Sequence, residues 1–262
     1  MSDAFRLDGK VVVLTGAAGI IGSEVTRNFL EAGARVFAID RDAGLMQDKL
    51  GAQGDSLMHC VADVANPESV KAARAVLEAK WGSADALLNN AATKSDNFFE
   101  PFETFPLADW NEVMGVNLTG AMLCAQAFGA GMAARGKGSI VNTLSIYGIV
   151  APDQRIYEGS QYMGRAINTP AIYSASKAGL WGLTKYLASY WGAKGVRVNA
   201  ITPGGVFSGQ NDTFVENYSS RAPLGRMAQA DDMANAMRFL VSDASKYMTG
   251  HNLVVDGGWT AW

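Results

Sequence analysis

The sequence predicts an α/β fold: one doubly wound, mostly parallel sheet of seven strands with helices on both faces, spanning residues 1–262 as a single domain. Three observations predict it. Short apolar, β-branched runs recur at 11–14, 35–39, 57–61, 86–88, 139–143, 196–201 and 252–255. Longer stretches with helical spacing separate them, the pattern of strands joined by crossover helices. A glycine-rich turn follows the first run and leads into a helical stretch.

The elements follow in order. Val11-Val12-Val13-Leu14 reads as a buried strand, and Thr15-Gly16-Ala17-Ala18-Gly19-Ile20-Ile21-Gly22 as the turn after it. Residues 23–32 read as the first helix. The next strand, 35–39, closes on Asp40. Pro67 suits the first turn of a helix over 67–81, and Gly82 suits its end. Helices are expected at 107–134 and 231–241, with Gly136 and Gly195 as further helix ends. No repeat, linker or low-complexity tract divides the chain. Ligands of such sheets bind beyond the carboxyl ends of the strands, so chemistry is expected after Leu14, Ile39, Val61, Leu88, Thr143 and Ile201.

Composition narrows the function classes. A net charge of −3 with no basic block gives no support to nucleic-acid binding. No uninterrupted apolar run approaches ~20 residues, so no membrane span is expected. Residues 1–7 lack the pattern of a secretory signal, and a cytoplasmic location is expected. His59 and His251 are the only histidines, so no metal site is expected. Cys60 and Cys124 sit in apolar surroundings and read as buried thiols.

Three groups of residues carry chemistry. Strand, glycine turn and helix form the context of a Rossmann-type dinucleotide site, where glycines admit the pyrophosphate and the helix start supplies free N–H groups. Asp40, 18 residues past Gly22, can accept hydrogen bonds from an adenosine ribose and would repel an added phosphate, so NAD is expected over NADP. The adjacent Arg41 could take that phosphate and works against the preference. Tyr173 and Lys177 are four residues apart and share one helix face, where an ammonium favours the phenolate and lowers its pKa. Such a tyrosine can exchange a proton with an alcohol oxygen.

With Asp63-Val64, Asn89-Asn90-Ala91-Ala92, Asn117, Ser145, Tyr173, Lys177, the run from Asn199 to Gly204 and Val255-Asp256-Gly257-Gly258 in order, the chain resembles the short-chain dehydrogenase/reductase family. The resemblance implies a catalytic set of Asn117, Ser145, Tyr173 and Lys177. Tyr173 would be the acid/base, and Lys177 would tune it and bond the nicotinamide ribose. Ser145 would hold the substrate oxygen, and Asn117 would anchor a water chain. It further implies cofactor contacts at Gly16, Gly19, Ile21, Gly22, Asp40, Arg41, Asp63, Val64, Asn90, Ala91, Pro203, Gly204, Val206 and Ser208. Relatives form dimers or tetramers through the helices holding Asn117 and Tyr173, so a homodimer or homotetramer is expected. The aromatic tail with Trp259 and Trp262 either joins such an interface or packs beneath the last strand.

Two features depart from the classical branch and resemble the extended branch, which acts mainly on nucleotide sugars. Gly16, Gly19 and Gly22 are spaced G-x-x-G-x-x-G, and Tyr173 follows Ser145 by 28 residues. The extra segment, about 151–171, joins two catalytic positions and is expected at the mouth of the site. Its polar and aromatic groups make Tyr147, Arg155, Tyr157, Tyr162 and Arg165 candidate substrate contacts, since tyrosines stack on sugar faces and arginines pair with anions. A solvated loop or subunit contact is the structural alternative. The combination is similar to dehydrogenases of bacterial surface-polysaccharide and nonulosonic-acid synthesis. The expected reaction is hydride transfer between nicotinamide and a secondary alcohol or ketone of a sugar, polyol or activated sugar. The alternative is reduction of a 3-oxoacyl thioester or simple ketone. A binding protein that only senses cofactor is disfavoured by the intact Tyr173 and Lys177.

Overall fold

A computed structural model describes residues 3–162 and 164–262, including every side chain in them except those of Asp3 and Tyr162. In chain order the elements are β1 (Val11–Thr15), α1 (Ile20–Glu31), β2 (Arg35–Asp40), α2 (Ala43–Leu50), β3 (Leu57–Val61), α3 (Pro67–Trp81) and β4 (Ala86–Asn89). Then come α4 (Leu107–Arg135), β5 (Gly138–Thr143), β6 (Gln161–Tyr162), β7 (Arg165–Ala166) and α5 (Ala171–Gly192). The chain closes with β8 (Val196–Pro203), α6 (Asp212–Ser219), α7 (Ala230–Val241) and β9 (Asn252–Val255).

Seven strands form one parallel sheet in the order β3-β2-β1-β4-β5-β8-β9. All seven lie where the apolar runs predict them. Strand β1 pairs β2 on one side and β4 on the other, so chain direction across the sheet reverses at this junction. Helices diverge there and leave a crevice at the strands' carboxyl ends.

Alternation along β1 divides the core into two layers. Val11 and Val13 face one way and join Phe37, Leu77, Phe128 and Trp191, which brings α3, α4 and α5 onto that face. Val12 and Leu14 face the other and join Val25, Phe29, Met233 and Leu240 from α1 and α7. Phe29 and Phe37 are fully buried, and truncating either to alanine should cost about 3–5 kcal/mol.

Local signals set the helix ends. Asn66 accepts from the N–H groups of Glu68 and Ser69, Pro67 occupies the first turn, and Gly82 leaves the helix at φ 75°. Helix α1 starts three residues earlier than the sequence predicts, because the chain turns helical directly after Gly19. Helix α4 is long and apolar enough to cross a membrane by length and composition, and its Val113, Cys124, Phe128 and Met132 are buried in the domain's own core. It includes two π-helical turns, Gly115–Gly120 and Ala125–Gly129, the first of which carries Asn117.

The segment 151–171 holds structure that the sequence does not reveal. Strands β6 and β7 pair antiparallel as a small hairpin outside the main sheet. Cys60 and Cys124 are both free thiols, and burial pushes Cys124 up to about 12.

Candidate active site

The glycine turn shapes one half of the crevice. Gly16 adopts φ 65°, and a Cβ there would lie 2.8 Å from the Ala91 Cα. A Cβ on Gly22 would lie 2.1 Å from the Gly16 carbonyl oxygen, so the turn closes only with hydrogen at that position. Gly19 begins α1, and no side chain caps that end. The first helical amides are therefore available to an anion, with the positive end of the helix dipole behind them.

Thr15 holds this turn against β4. Its hydroxyl accepts from the N–H groups of Asn90 and Ala91, each at 3.1 Å, and donates to the Leu88 carbonyl at 3.3 Å. The Asn90 amide donates to the carbonyls of Thr15 and Gly16, both at 3.2 Å. At the end of β2, Asp40 accepts from the Ala18 N–H at 3.0 Å and the Arg41 N–H at 2.8 Å. These bonds fix the carboxylate at the rim.

A groove of about 540 Å³ follows. Gly16, Gly19, Ile21, Asp40, Arg41 and Asp63 line it, and so do Val64, Asn90, Ala91, Val206 and Ser208. Gly22 lies beneath the turn, while Pro203 and Gly204 line the adjoining cavity. The bare helix start, the glycines that cannot bear a side chain and the carboxylate after β2 fit a dinucleotide.

The adjoining cavity, about 410 Å³, contains Ser145, Tyr173 and Lys177. Tyr173 and Lys177 come from the first two turns of α5, and Ser145 follows β5. The Lys177 ammonium is buried and donates to the Thr143 carbonyl at 2.7 Å, and it lies 5.9 Å from the centre of the Tyr173 ring. Loss of hydration lowers its pKa to about 8. Tyr173 departs from the sequence expectation. Burial raises its pKa, a hydrogen bond with Ser145 opposes that, and burial prevails.

Asn117 lies behind the cavity rather than on its wall. Its Oδ1 accepts from the Thr93 N–H at 3.0 Å, and its Nδ2 donates to Ser176 Oγ at 3.2 Å. Ser176 in turn donates to the Tyr173 carbonyl at 2.9 Å. Asn117 thus joins the loop after β4 to the helix bearing Tyr173.

The candidate substrate contacts divide. Tyr147 and Tyr157 line the cavity, and the Tyr157 hydroxyl bonds both Tyr147, at 3.4 Å, and Thr169. Burial raises the pKa of both tyrosines. Arg155 corrects the expectation: its side chain is 81% exposed, away from the lining, and pairs with Asp153 at 2.8 Å. Arg165 is also exposed and outside the lining, and bonds the Asp96 carbonyl at 3.4 Å. In both cases a nearer acceptor on the loop surface holds the guanidinium. The Tyr162 side chain lies outside the described residues.

Sequence reasoning missed several walls of the cavity. Lys94, Phe98 and Phe99 arrive on the loop after β4, and Gln210 and Tyr218 from later segments, while Asn168 lines the cavity from the polar segment expected at its mouth. The polar-then-aromatic run from Lys94 to Phe99, next to the Asn-Asn-Ala-Ala motif, was the available signal. Trp259 packs against Tyr147 and Tyr218 behind the cavity, while Trp262 is exposed.

Comparison with known proteins agrees with this architecture. Residues 16–260 match the family model described as enoyl-(acyl carrier protein) reductase. The chain is 36% identical to the D-threitol dehydrogenase of Mycolicibacterium smegmatis over 264 residues, covering 98% of this chain and 95% of that one. The crystal structure of a short-chain dehydrogenase from Leptospira borgpetersenii with bound NAD+ superposes with a TM-score of 0.87 at 36% identity, covering 99% and 96% of the two chains. A gluconate 5-dehydrogenase from Burkholderia cenocepacia in complex with NADP and tartrate gives 0.86 at 33%, covering 99% and 98%. A match of this extent, on a seven-stranded parallel sheet with Tyr173 and Lys177 at its carboxyl edge, places the chain in the short-chain dehydrogenase/reductase family, oxidoreductases acting on CH–OH groups with a nicotinamide cofactor.

Proposed function

We propose that this protein oxidises a secondary alcohol of a sugar, polyol or activated sugar, or reduces the matching ketone, with NAD as its preferred cofactor. One observation carries the reading. The Tyr173 and Ser145 hydroxyls share a cavity with Tyr147, Tyr157, Asn168 and Gln210, a density of donors and acceptors suited to a polyhydroxylated substrate. The similarity to a D-threitol dehydrogenase and to a gluconate 5-dehydrogenase supports the same class.

The chain's residues divide the work. Gly16, Gly19 and the start of α1 would cradle the pyrophosphate, and Asp40 would select the unphosphorylated ribose. A nicotinamide cofactor held in this groove would supply the hydride chemistry. Ser145 holds the substrate oxygen, and Tyr173 takes its proton in oxidation or returns it in reduction. Lys177 supplies positive charge beside Tyr173. Asn117 holds the Thr93 loop and Ser176 in register, on the route by which the proton leaves. The segment 151–171 serves as an insertion that completes the cavity through Tyr157, Ile167 and Asn168. A homodimer or homotetramer working in the cytoplasm completes the proposal.

A second reading has one observation in its favour. Phe98, Phe99, Ile146, Ile167, Phe214 and Met227 give the cavity a large apolar wall, which suits a 3-oxoacyl thioester or simple ketone. NADH formation with a panel of polyols, sugars, sugar acids and nucleotide sugars tests the choice, with NADP and Tyr173→Phe in parallel. Tyr173-dependent turnover of a sugar-like alcohol is expected. Silence there, with NADH- or NADPH-dependent reduction of an acyl thioester, would select the second reading.

A further inference from the structure

We infer that Lys94 is the substrate-recognising cation of this cavity and that the preferred substrate is a polyhydroxy acid, whose carboxylate pairs with Lys94 while a hydroxyl further along its chain meets Tyr173. The inference rests on the sugar-type reading above and narrows it.

The charge inventory of the cavity is one-sided. Among its described lining residues the charged side chains are Lys94 and Lys177, with no Asp or Glu. Lys177 is buried against the Thr143 carbonyl beside Tyr173 and belongs to the proton-transfer centre. That leaves Lys94 to select among substrates. A neutral polyol has no group that requires a cation, whereas a carboxylate gains a charge-assisted hydrogen bond.

The geometry puts Lys94 at a useful place. Its Nζ lies 5.5 Å from the centre of the Phe99 ring. Phe99 meets Phe98 edge-on at 5.5 Å, and Phe98 meets Tyr173 edge-on at 6.2 Å. The ammonium and the phenol therefore flank one two-ring wall, which can guide a substrate chain between them. Lys94 is exposed at the mouth of the cavity, where partial loss of hydration lowers its pKa.

The loop carrying Lys94 is held along its length. The Thr93 N–H donates to Asn117, and Asn97 donates to Asp109 through its backbone at 3.0 Å and its side chain at 3.2 Å. The Phe99 carbonyl accepts from Asn168 at 2.8 Å. Binding therefore need not order this loop, and little entropy is lost there.

Lys94 also lines the cofactor groove, so a cofactor phosphate is the competing source of the same anion chemistry. Steady-state kinetics with D-gluconate and sorbitol, a six-carbon acid and a neutral polyol, separate the two sources. Wild type should favour the acid. Lys94→Met should lower kcat/KM for the acid at least 30-fold, chiefly through KM, and alter it less than threefold for the polyol. Lys94→Arg should restore most of the loss, and the KM for NAD should stay within twofold. Calorimetric titration of gluconate into Tyr173→Phe, with and without Lys94→Met, gives a readout independent of turnover and should show the same loss of affinity. Equal losses on acid and polyol, a raised KM for NAD, or no change at all would overturn the assignment. Turnover of sorbitol but not gluconate by wild type would overturn it and leave the sugar-type reading standing. Failure of both substrates, with turnover of an acyl thioester, would remove that reading and the inference with it.

Discussion

Lys177 donates a 2.7 Å hydrogen bond to the Thr143 carbonyl at the end of β5, and this contact anchors α5 to the sheet edge. It fixes the ammonium beside Tyr173 at the cost of hydration. The folded pKa is depressed to about 8 from an ordinary 10.5, so between those values the unfolded chain holds a proton that the folded chain has released. Stability contributed at this site therefore rises as pH climbs from about 8 to 10.5. Chemical denaturation of wild type and Lys177→Met at pH 7.5 and 9.5 should show wild type gaining on the order of 1–2 kcal/mol over the variant. A pH-independent difference would contradict the depressed pKa. Repeating the comparison in a Tyr173→Phe background removes the titration of the tyrosine beside Lys177 from the difference.

Two glycines of one turn should behave differently. A methyl group on Gly22 would overlap the Gly16 carbonyl, and Gly22→Ala should lose about 3 kcal/mol or more, read by urea unfolding. A methyl group on Gly19 meets only the Gly16 oxygen, at 3.4 Å. Gly19→Ala should stay within about 1 kcal/mol of wild type. Its affinity for NADH, read by fluorescence titration, should nevertheless fall at least tenfold because the methyl group enters the groove.

Asp40 places a carboxylate at the groove rim and also satisfies the Ala18 N–H. Asp40→Ser removes the charge and keeps an acceptor. The ratio of kcat/KM for NADP to that for NAD should rise at least tenfold, helped by the adjacent Arg41, with about 1 kcal/mol of stability lost. An unchanged ratio would remove Asp40 from cofactor selection.

The loop 151–171 should divide functionally along its contacts. Arg155 is paired with Asp153 and Arg165 with the Asp96 carbonyl, both outside the cavity, so alanine at either should leave KM for the substrate within twofold. Tyr157 lines the cavity and bonds Tyr147 and Thr169. Tyr157→Phe should raise KM about 5–10-fold, equivalent to about 1–1.4 kcal/mol, and the loss of its bonds to Tyr147 and Thr169 should also cost about 1–2 kcal/mol of stability, read by urea unfolding. An effect from the arginines and none from Tyr157 would reverse this division.

Sequence by itself determined the strand positions, the glycine turn, the carboxylate after β2 and the pairing of Tyr173 with Lys177. Each is written in spacing a few residues long: apolar runs for buried strands, glycines where a Cβ cannot fit, and four residues for one helix face. Tertiary structure alone decided which side chains line the cavity. Phe99 is fixed by Asn168, 69 residues away, and Trp259 packs edge-on against Tyr147, far from it in the sequence. It also turned Arg155 to Asp153 and placed Lys94 where groove and cavity meet. Contacts between distant segments leave no periodic trace in the sequence, because they depend on how packed elements orient the loops between them. The same burial reversed the expected direction at Tyr173, where loss of water outweighs the Ser145 hydrogen bond.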